Sequence, residues 1–229
     1  MWTARIFTLY PELFPGPFNY GLYKKALEKN IWSLEICNIR DGATDKHKTV
    51  DDTPFGGGSG MIIKPEVLSN SLDKYVKKND KIIYLSPRGK KFTQEVAKSF
   101  LKEKTTNIIC GHFEGVDQRV IETRDIEEVS IGDFILSGGE TAAYIFIDVI
   151  VRLLPGVLGN DQSIYEESFE NNLLEYPQYT KPQKWESKCV PDVLLSGDHA
   201  KIKDWRLSQS EAITRRRRPD LWEKYKNKK

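Results

Sequence analysis

The segment that most constrains the fold is VSIGDFILSGGE, residues 129–140. It starts as a strand through Ile131, breaks at Gly132-Asp133, resumes as a strand through Phe134, Ile135 and Leu136, and turns at Ser137-Gly138-Gly139. The run TAAYIFIDVIVRLL follows with a broad apolar face and reads as a helix. KIIYLSPRGKKF (81–92) and NIICGHFEGVDQRV (107–120) repeat the same design of strand, glycine-bearing turn and helix. In open α/β sheets, ligands sit at the carboxyl ends of strands. Three such ends predict one shared pocket built mostly of backbone.

The rest of the first half supports this architecture. ARIFTLY (4–10) and IWSLEICNI are strands, with an amphipathic helix ending at Asn30 between them. PEVLSNSLDKYVKKN is a helix with proline in its first turn, and residues 92–101 form another, capped by Thr93. Regular alternation of strand and helix predicts an α/β fold with a parallel, doubly wound sheet. PFGGGSGM (54–61) holds too many glycines for a helix or strand. It reads either as a loop that admits a flat ligand or phosphate to backbone N–H groups, or as a flexible surface loop. It is not a P-loop, since no GKS or GKT follows, and a charged loop rather than a strand precedes it.

After Pro155-Gly156 the composition changes. Residues 161–178 hold five acidic residues and no basic one, and read as a linker. Beyond them come short helical pieces, PDVLL and then a helix through GDHAKIKDWRLSQSEAITRRRR that stops at Pro219. Trp185, Trp205 and Trp222 are the expected anchors of this unit's small core. Stacking of Trp205 on a base is the alternative. From residue 196 onward there are eleven Lys and Arg against five Asp and Glu, whereas the remainder has 24 against 28. A basic end on an acidic body fits either a polyanion partner or a solvated helix. The arginine run 215–218 carries the same two readings.

Cys37, Cys110 and Cys189 are odd in number, far apart and without metal-ligand spacing among the histidines. They predict no metal site and a reducing, cytoplasmic setting. The longest apolar run, 141–151, contains Asp148 and is too short to span a bilayer. No secretory leader pattern opens the chain, and no membrane association is expected.

PFGGGSGM, IIYLSPRGKKF, ICGHFEGVDQRV, SIGDFILSGGE, RLLPGVLG, LLEYPQYTKP and SGDHAKIKDWRLSQS together resemble the bacterial tRNA (guanine-N1)-methyltransferase family, TrmD, of the SPOUT class. The resemblance runs in order along nearly the whole chain. It implies a SPOUT-type parallel sheet with a deep trefoil knot, a rare exception to unknotted topology, plus a small helical C-terminal domain. Residues 1–159 would be the knotted, S-adenosylmethionine-binding catalytic domain, 160–170 a flexible interdomain linker, and 171–229 a helical tRNA-binding domain. The resemblance also implies a homodimer with its active site at the subunit interface, methylation of N1 of guanosine 37 in tRNA after G36, and use of Mg²⁺ in catalysis or to stabilise the tRNA.

Carried over by motif, the implied cofactor contacts are Tyr84, Leu85, Pro87, Gly111, Glu114, Ile131, Gly132, Leu136, Gly138 and Gly139. The chemistry sets further demands. Guanine N1 carries a proton at neutral pH that a carboxylate can take as general base, and a cation is needed where negative charge grows on O6. The family's Asp-Ser-Phe motif appears here as Glu167-Ser168-Phe169, so Glu167 takes the role of base and Arg152 that of catalytic cation. A free Glu, at pKa ~4.3, is a weak base for this proton and gains from burial against the nucleobase. Glu175 matches a second acidic position, Asp51 the reader of G36, and Arg206, Gln209 and Arg215 the tRNA contacts. Departures from the family pattern are Ser59 where proline is usual, His112 where arginine is common, Gln178 where histidine is common, and Glu for Asp at position 167. Two other readings stay open at this point: a catalytically inactive tRNA-binding SPOUT protein, and a SPOUT methyltransferase acting on another RNA position.

Overall fold

The structure, a computed structural model, describes residues 1–159 and 167–228. Most of the expected linker, with Glu166, therefore lies outside the described residues. The chain divides into two compact units, Met1–Gly159 and Asn160–Lys229.

In the first unit the elements run β1 (Trp2–Thr8), α1 (Gly21–Glu28), β2 (Trp32–Asn38), β3 (Asp51–Asp52), β4 (Ile62–Ile63), α2 (Pro65–Tyr75), β5 (Lys81–Lys91), α3 (Gln94–Phe100), β6 (Thr105–Cys110), α4 (Gln118–Thr123), β7 (Glu127–Ser130) and α5 (Gly139–Leu153). Five strands form one parallel sheet in the order β2-β1-β6-β5-β7. Successive strand residues point to opposite faces, and both faces are covered. Phe7, Ile82, Tyr84 and Ile109 pack with Val67, Leu68 and Leu72 of α2 and Val120 and Ile121 of α4. On the opposite face α5 lies over β6, β5 and β1. There Phe146 is fully buried between Phe92, at 4.7 Å, and Phe100, at 5.0 Å. This two-sided burial is why the strands read as nearly continuous apolar runs.

Local signals hold where they are strongest. Thr93 caps α3, its hydroxyl accepting from the Val96 N–H, and Pro65 opens α2. Two expectations about strands are corrected. The strand of 81–92 does not give way to a turn at its glycine: β5 runs from Lys81 to Lys91. It bulges between Leu85 and Lys90 and rejoins β7. The bulge brings Gly89 against β7 so closely that a Cβ there would lie 2.3 Å from the Val129 nitrogen. Conversely, Phe134, Ile135 and Leu136 do not resume a strand. β7 ends at Ser130, and the following segment runs irregularly with Ile135 82% exposed. β7 lies at the sheet edge with β5 as its one neighbour. Once that pairing ends, no partner strand remains among the described residues to receive the backbone hydrogen bonds of a further strand.

The second unit contains a short hairpin, β8 (Lys184–Trp185) and β9 (Lys188–Cys189), followed by α6 (His199–Arg217) and α7 (Pro219–Lys226). Asp198 caps α6 by accepting from the Lys201 N–H at 3.1 Å; α6 ends before Pro219, as expected, and Pro219 begins α7. Among the described residues of this unit, Leu173, Ser210, Thr214, Leu221 and Tyr225 are buried. Trp185 is not a core anchor: it sits on the hairpin, 69% exposed. Trp205 and Trp222 are half-buried. The acidic segment is not all linker either. Leu173 is buried, and the Leu174 N–H donates to the Thr214 hydroxyl at 2.8 Å.

Candidate active site

The bulged stretch of β5 and the turns after β6 and β7 converge on one cavity of about 780 Å³, within the usual size of a small-ligand cleft. Tyr84, Leu85 and Pro87 come from the first, Gly111 and Glu114 from the second, and Ile131, Gly132, Leu136, Gly138 and Gly139 from the third. All ten residues singled out from the sequence motifs thus line the same cleft. Arg88, His112, Phe113, Gln118 and Phe134 line it as well.

Close packing explains the glycines. The Tyr84 ring is buried, and a Cβ on Gly111 would come within 2.7 Å of it. Burial pushes the Tyr84 phenol above its ordinary range. The wall at this point is therefore backbone and one aromatic ring, a surface suited to a flat heterocycle with hydrogen-bonding edges. Arg88 is tethered by Glu128, at 3.0 Å, and by Gln118.

The glycine loop borders the same cavity. Pro54, Phe55 and Ile62 line it, and Gly56, Gly57, Gly58 and Gly60 all take positive φ, between 80° and 123°. That conformation is open to glycine and strained for other residues. A Cβ on Gly60 would sit 2.4 Å from Glu114 Oε1. β4 joins the loop to the wall: the Ile63 N–H donates to the Gly115 carbonyl at 3.0 Å. Asp51 on β3 pairs directly with Ile63. Its hairpin is thereby anchored to the turn after β6, although Asp51 itself is not among the lining residues.

Arg152 does not line the cavity. It lies in the last turn of α5, half-buried and partnered. One turn earlier, Asp148 accepts a hydrogen bond from the Tyr23 hydroxyl at 2.6 Å. Burial and then this carboxylate push the Tyr23 phenol up to about 12, while Arg152 acts on it in the opposite direction.

The remaining candidates belong to the second unit. Glu167 and Glu175 flank a turn in which the Glu175 N–H donates to the Ser168 hydroxyl at 3.0 Å. The Phe169 N–H reaches the Leu173 carbonyl at 2.7 Å with Phe169 at φ 78. A positive φ on a bulky residue is a strained conformation of a kind that concentrates at functional sites. Gln178 donates to Glu175 at 2.7 Å, and the Arg206 guanidinium lies 4.8 Å over the Tyr176 ring. Gln209 is half-buried on α6 and Arg215 is exposed. The arginine run divides. Residues 215–217 are exposed, while Arg218 grips Asp220, holding that carboxyl at about 2. No cluster of three or more His, Cys, Asp or Glu with metal-binding geometry occurs among the described residues, and no helix among them is long and apolar enough to cross a membrane.

One group escaped the sequence reading. Glu140, 4% exposed, is bonded through Oε2 to His112 Nε2 at 2.6 Å and accepts from Thr8. These residues are separated by 28 and 132 positions. The sequence places an acidic residue after SGG but nothing near it that marks its burial or its partners.

The family model described as tRNA (Guanine-1)-methyltransferase TrmD matches residues 1–224. A tRNA (guanine-N(1)-)-methyltransferase of Pelagibacter ubique (strain HTCC1062) is 69% identical over 226 residues, covering 99% of both chains. Proteins of the same name from Brucella canis (strain ATCC 23365 / NCTC 10854 / RM-666) and Bartonella tribocorum (strain CIP 105476 / IBS 506) are 54% and 55% identical. Each alignment covers 97% of this chain, with 91% of the Brucella protein and 95% of the Bartonella protein.

Proposed function

This chain belongs to the tRNA (guanine-1)-methyltransferase TrmD family, and from that premise we infer that it methylates N1 of guanosine 37 in tRNA, with S-adenosylmethionine as donor and G36 as the required neighbour. The observation that carries this reading is the single cavity ringed by three glycine-bearing strand ends. Its walls fit the donor. Gly111 admits no side chain against Tyr84, so a flat adenine can lie against backbone whose N–H and C=O groups match its edge. Bound there, S-adenosylmethionine supplies an electrophilic methyl group on a sulfonium.

The ten lining residues named above hold and orient the donor. Glu167 takes the proton from guanine N1, so that the ring nitrogen becomes a nucleophile. Arg152 meets the negative charge that grows on O6. Asp51 accepts from N1–H and N2–H of G36 together, a pair of donors that adenine lacks. Glu175 supports the base, and Arg206, Gln209 and Arg215 on α6 contact the tRNA. A base on a separate segment can close over the correct RNA and exclude water.

In this reading the bulged stretch of β5 and the turns after β6 and β7 are the loops of a deep trefoil knot. Support comes from the strand order, in which β7 returns beside β5 while β6 occupies the other flank of β5. The first unit is the catalytic domain, residues 160–170 are the linker, and residues 171–229 bind tRNA. The enzyme works in the cytoplasm as a homodimer, each active site shared between subunits, and Mg²⁺ assists the reaction or the tRNA.

The test is methyl transfer from labelled S-adenosylmethionine to two transcripts, one with G36-G37 and one with A36-G37, with the product nucleoside identified. 1-Methylguanosine at position 37 in the first transcript alone is the expected result. Cofactor binding without transfer to either transcript would reduce the protein to a tRNA-binding relative, and methylation at another base would move the reaction elsewhere.

A further inference from the structure

At the edge of the cavity, side chains from distant parts of the chain close into one polar circuit. Thr8, the last residue of β1, donates its hydroxyl to Oε1 of Glu140. Glu140, in the first turn of α5, joins His112 through Oε2 and Nε2 at 2.6 Å. His112 follows the β6 end, lines the cavity, and places its ring 4.7 Å from that of Tyr10. The Tyr10 N–H returns to the Thr8 hydroxyl at 2.9 Å.

Glu140 is almost withdrawn from water, and a buried carboxylate persists where donors satisfy it. Here they are the Thr8 hydroxyl and the His112 ring, helped by the positive end of α5. Removing a donor leaves a buried oxygen unmet, and the local structure has to shift in response. The shift would be felt at the cavity. A Cβ on Gly138 would lie 2.3 Å from His112 Cε1 and 2.8 Å from Glu140 Oε2. The turn before α5 is thus seated directly on this pair.

We propose that His112 and Glu140 are a positioning couple: their bond sets the spacing between the β6 end and the turn before α5, and so sets the affinity for the methyl donor. This rests on the S-adenosylmethionine reading above. The couple acts through the walls and leaves the chemical step to other residues.

The experiment is calorimetric titration of S-adenosylmethionine into wild type, His112→Ala, Glu140→Ala, their double variant and His112→Gln, with KM and kcat measured alongside. Each alanine variant weakens binding about ten- to a hundred-fold. KM rises in step, and kcat at saturating donor stays within about two-fold of wild type. The double variant is no weaker than the worse single one, because both lose the same bond. His112→Gln keeps an N–H donor and recovers most of the affinity.

Unchanged affinity in His112→Ala, additive losses in the double variant, or lost kcat with affinity retained would each overturn the couple. If circular dichroism shows Glu140→Ala unfolded, His112→Ala against His112→Gln decides alone: recovery by glutamine supports the couple and equal loss overturns it. Wild-type protein that binds no S-adenosylmethionine removes the functional reading and the couple together. Equal binding by wild type and every folded variant removes the couple alone.

Discussion

The backbone N–H of Gly139 donates to the Gly111 carbonyl at 2.9 Å, joining the start of α5 to the turn after β6. Two of the three strand ends that ring the cavity are therefore in direct contact. A Cβ on Gly139 would lie 2.6 Å from the Cys110 Cα and 2.8 Å from the Gly111 nitrogen, both backbone atoms.

Gly139→Ala is accordingly expected to lower stability by about 1–3 kcal/mol, as overpacking against fixed atoms does, and to weaken S-adenosylmethionine binding. Urea unfolding and calorimetric titration read the two effects. A variant with wild-type stability and affinity would show that the turn can move aside without penalty.

Removing the proposed base or cation should spare the cofactor cavity, since Arg152 does not line it and Glu167 belongs to the other unit. Glu167→Gln and Arg152→Ala are each expected to slow turnover by about 10²–10⁴-fold, the usual weight of a general base or of a preorganised charge. Binding of S-adenosylmethionine should stay near wild type. Loss of that binding in Arg152→Ala would assign the arginine a structural role in α5 instead.

Asp51 sits on a hairpin that is anchored to the turn after β6. Asp51→Ala should relax the demand for G36. The expected result is a smaller ratio of kcat/KM between G36 and A36 transcripts, with little change in donor affinity. An unchanged ratio would remove Asp51 from recognition.

The cysteines differ sharply in environment. Burial pushes the Cys37 thiol up to about 11 and the fully buried Cys110 well above its usual range, whereas Cys189 is exposed. The thiolate is the reactive form. At pH 8 a thiol reagent should therefore modify Cys189 quickly and the other two only after denaturation. Keeping Cys37 neutral contributes stability that is fully present below pH 9 and is lost as pH rises through about 11. Fast modification of all three in native protein would contradict the packing around β2 and β6.

Much of this fold was legible in local chemistry. Thr93 caps α3, Pro65 opens α2, and Pro219 stops α6. Each signal acts within one turn of backbone and needs no distant partner, as does the apolar run of β6. The glycine-bearing strand ends could be named for the same reason, because a parallel sheet places the carboxyl ends of its strands together. The second unit was harder to read. Tryptophans make good cores in general, yet Trp185 falls on a two-residue strand and faces solvent, while Leu221 and Tyr225 are buried.

What the sequence by itself determined was the set of elements and the order of the motifs, since propensity, caps and turns depend on near neighbours. Tertiary structure alone decided the rest. β5 runs on past its bulge to Lys91 because β7 offers it a partner, and Phe134 to Leu136 form no strand because none is offered to them. The Thr8–Glu140–His112 circuit was invisible for the same reason. Its members carry no local pattern, and they become one group only when sheet pairing and helix packing withdraw Glu140 from water and leave those two donors to satisfy it.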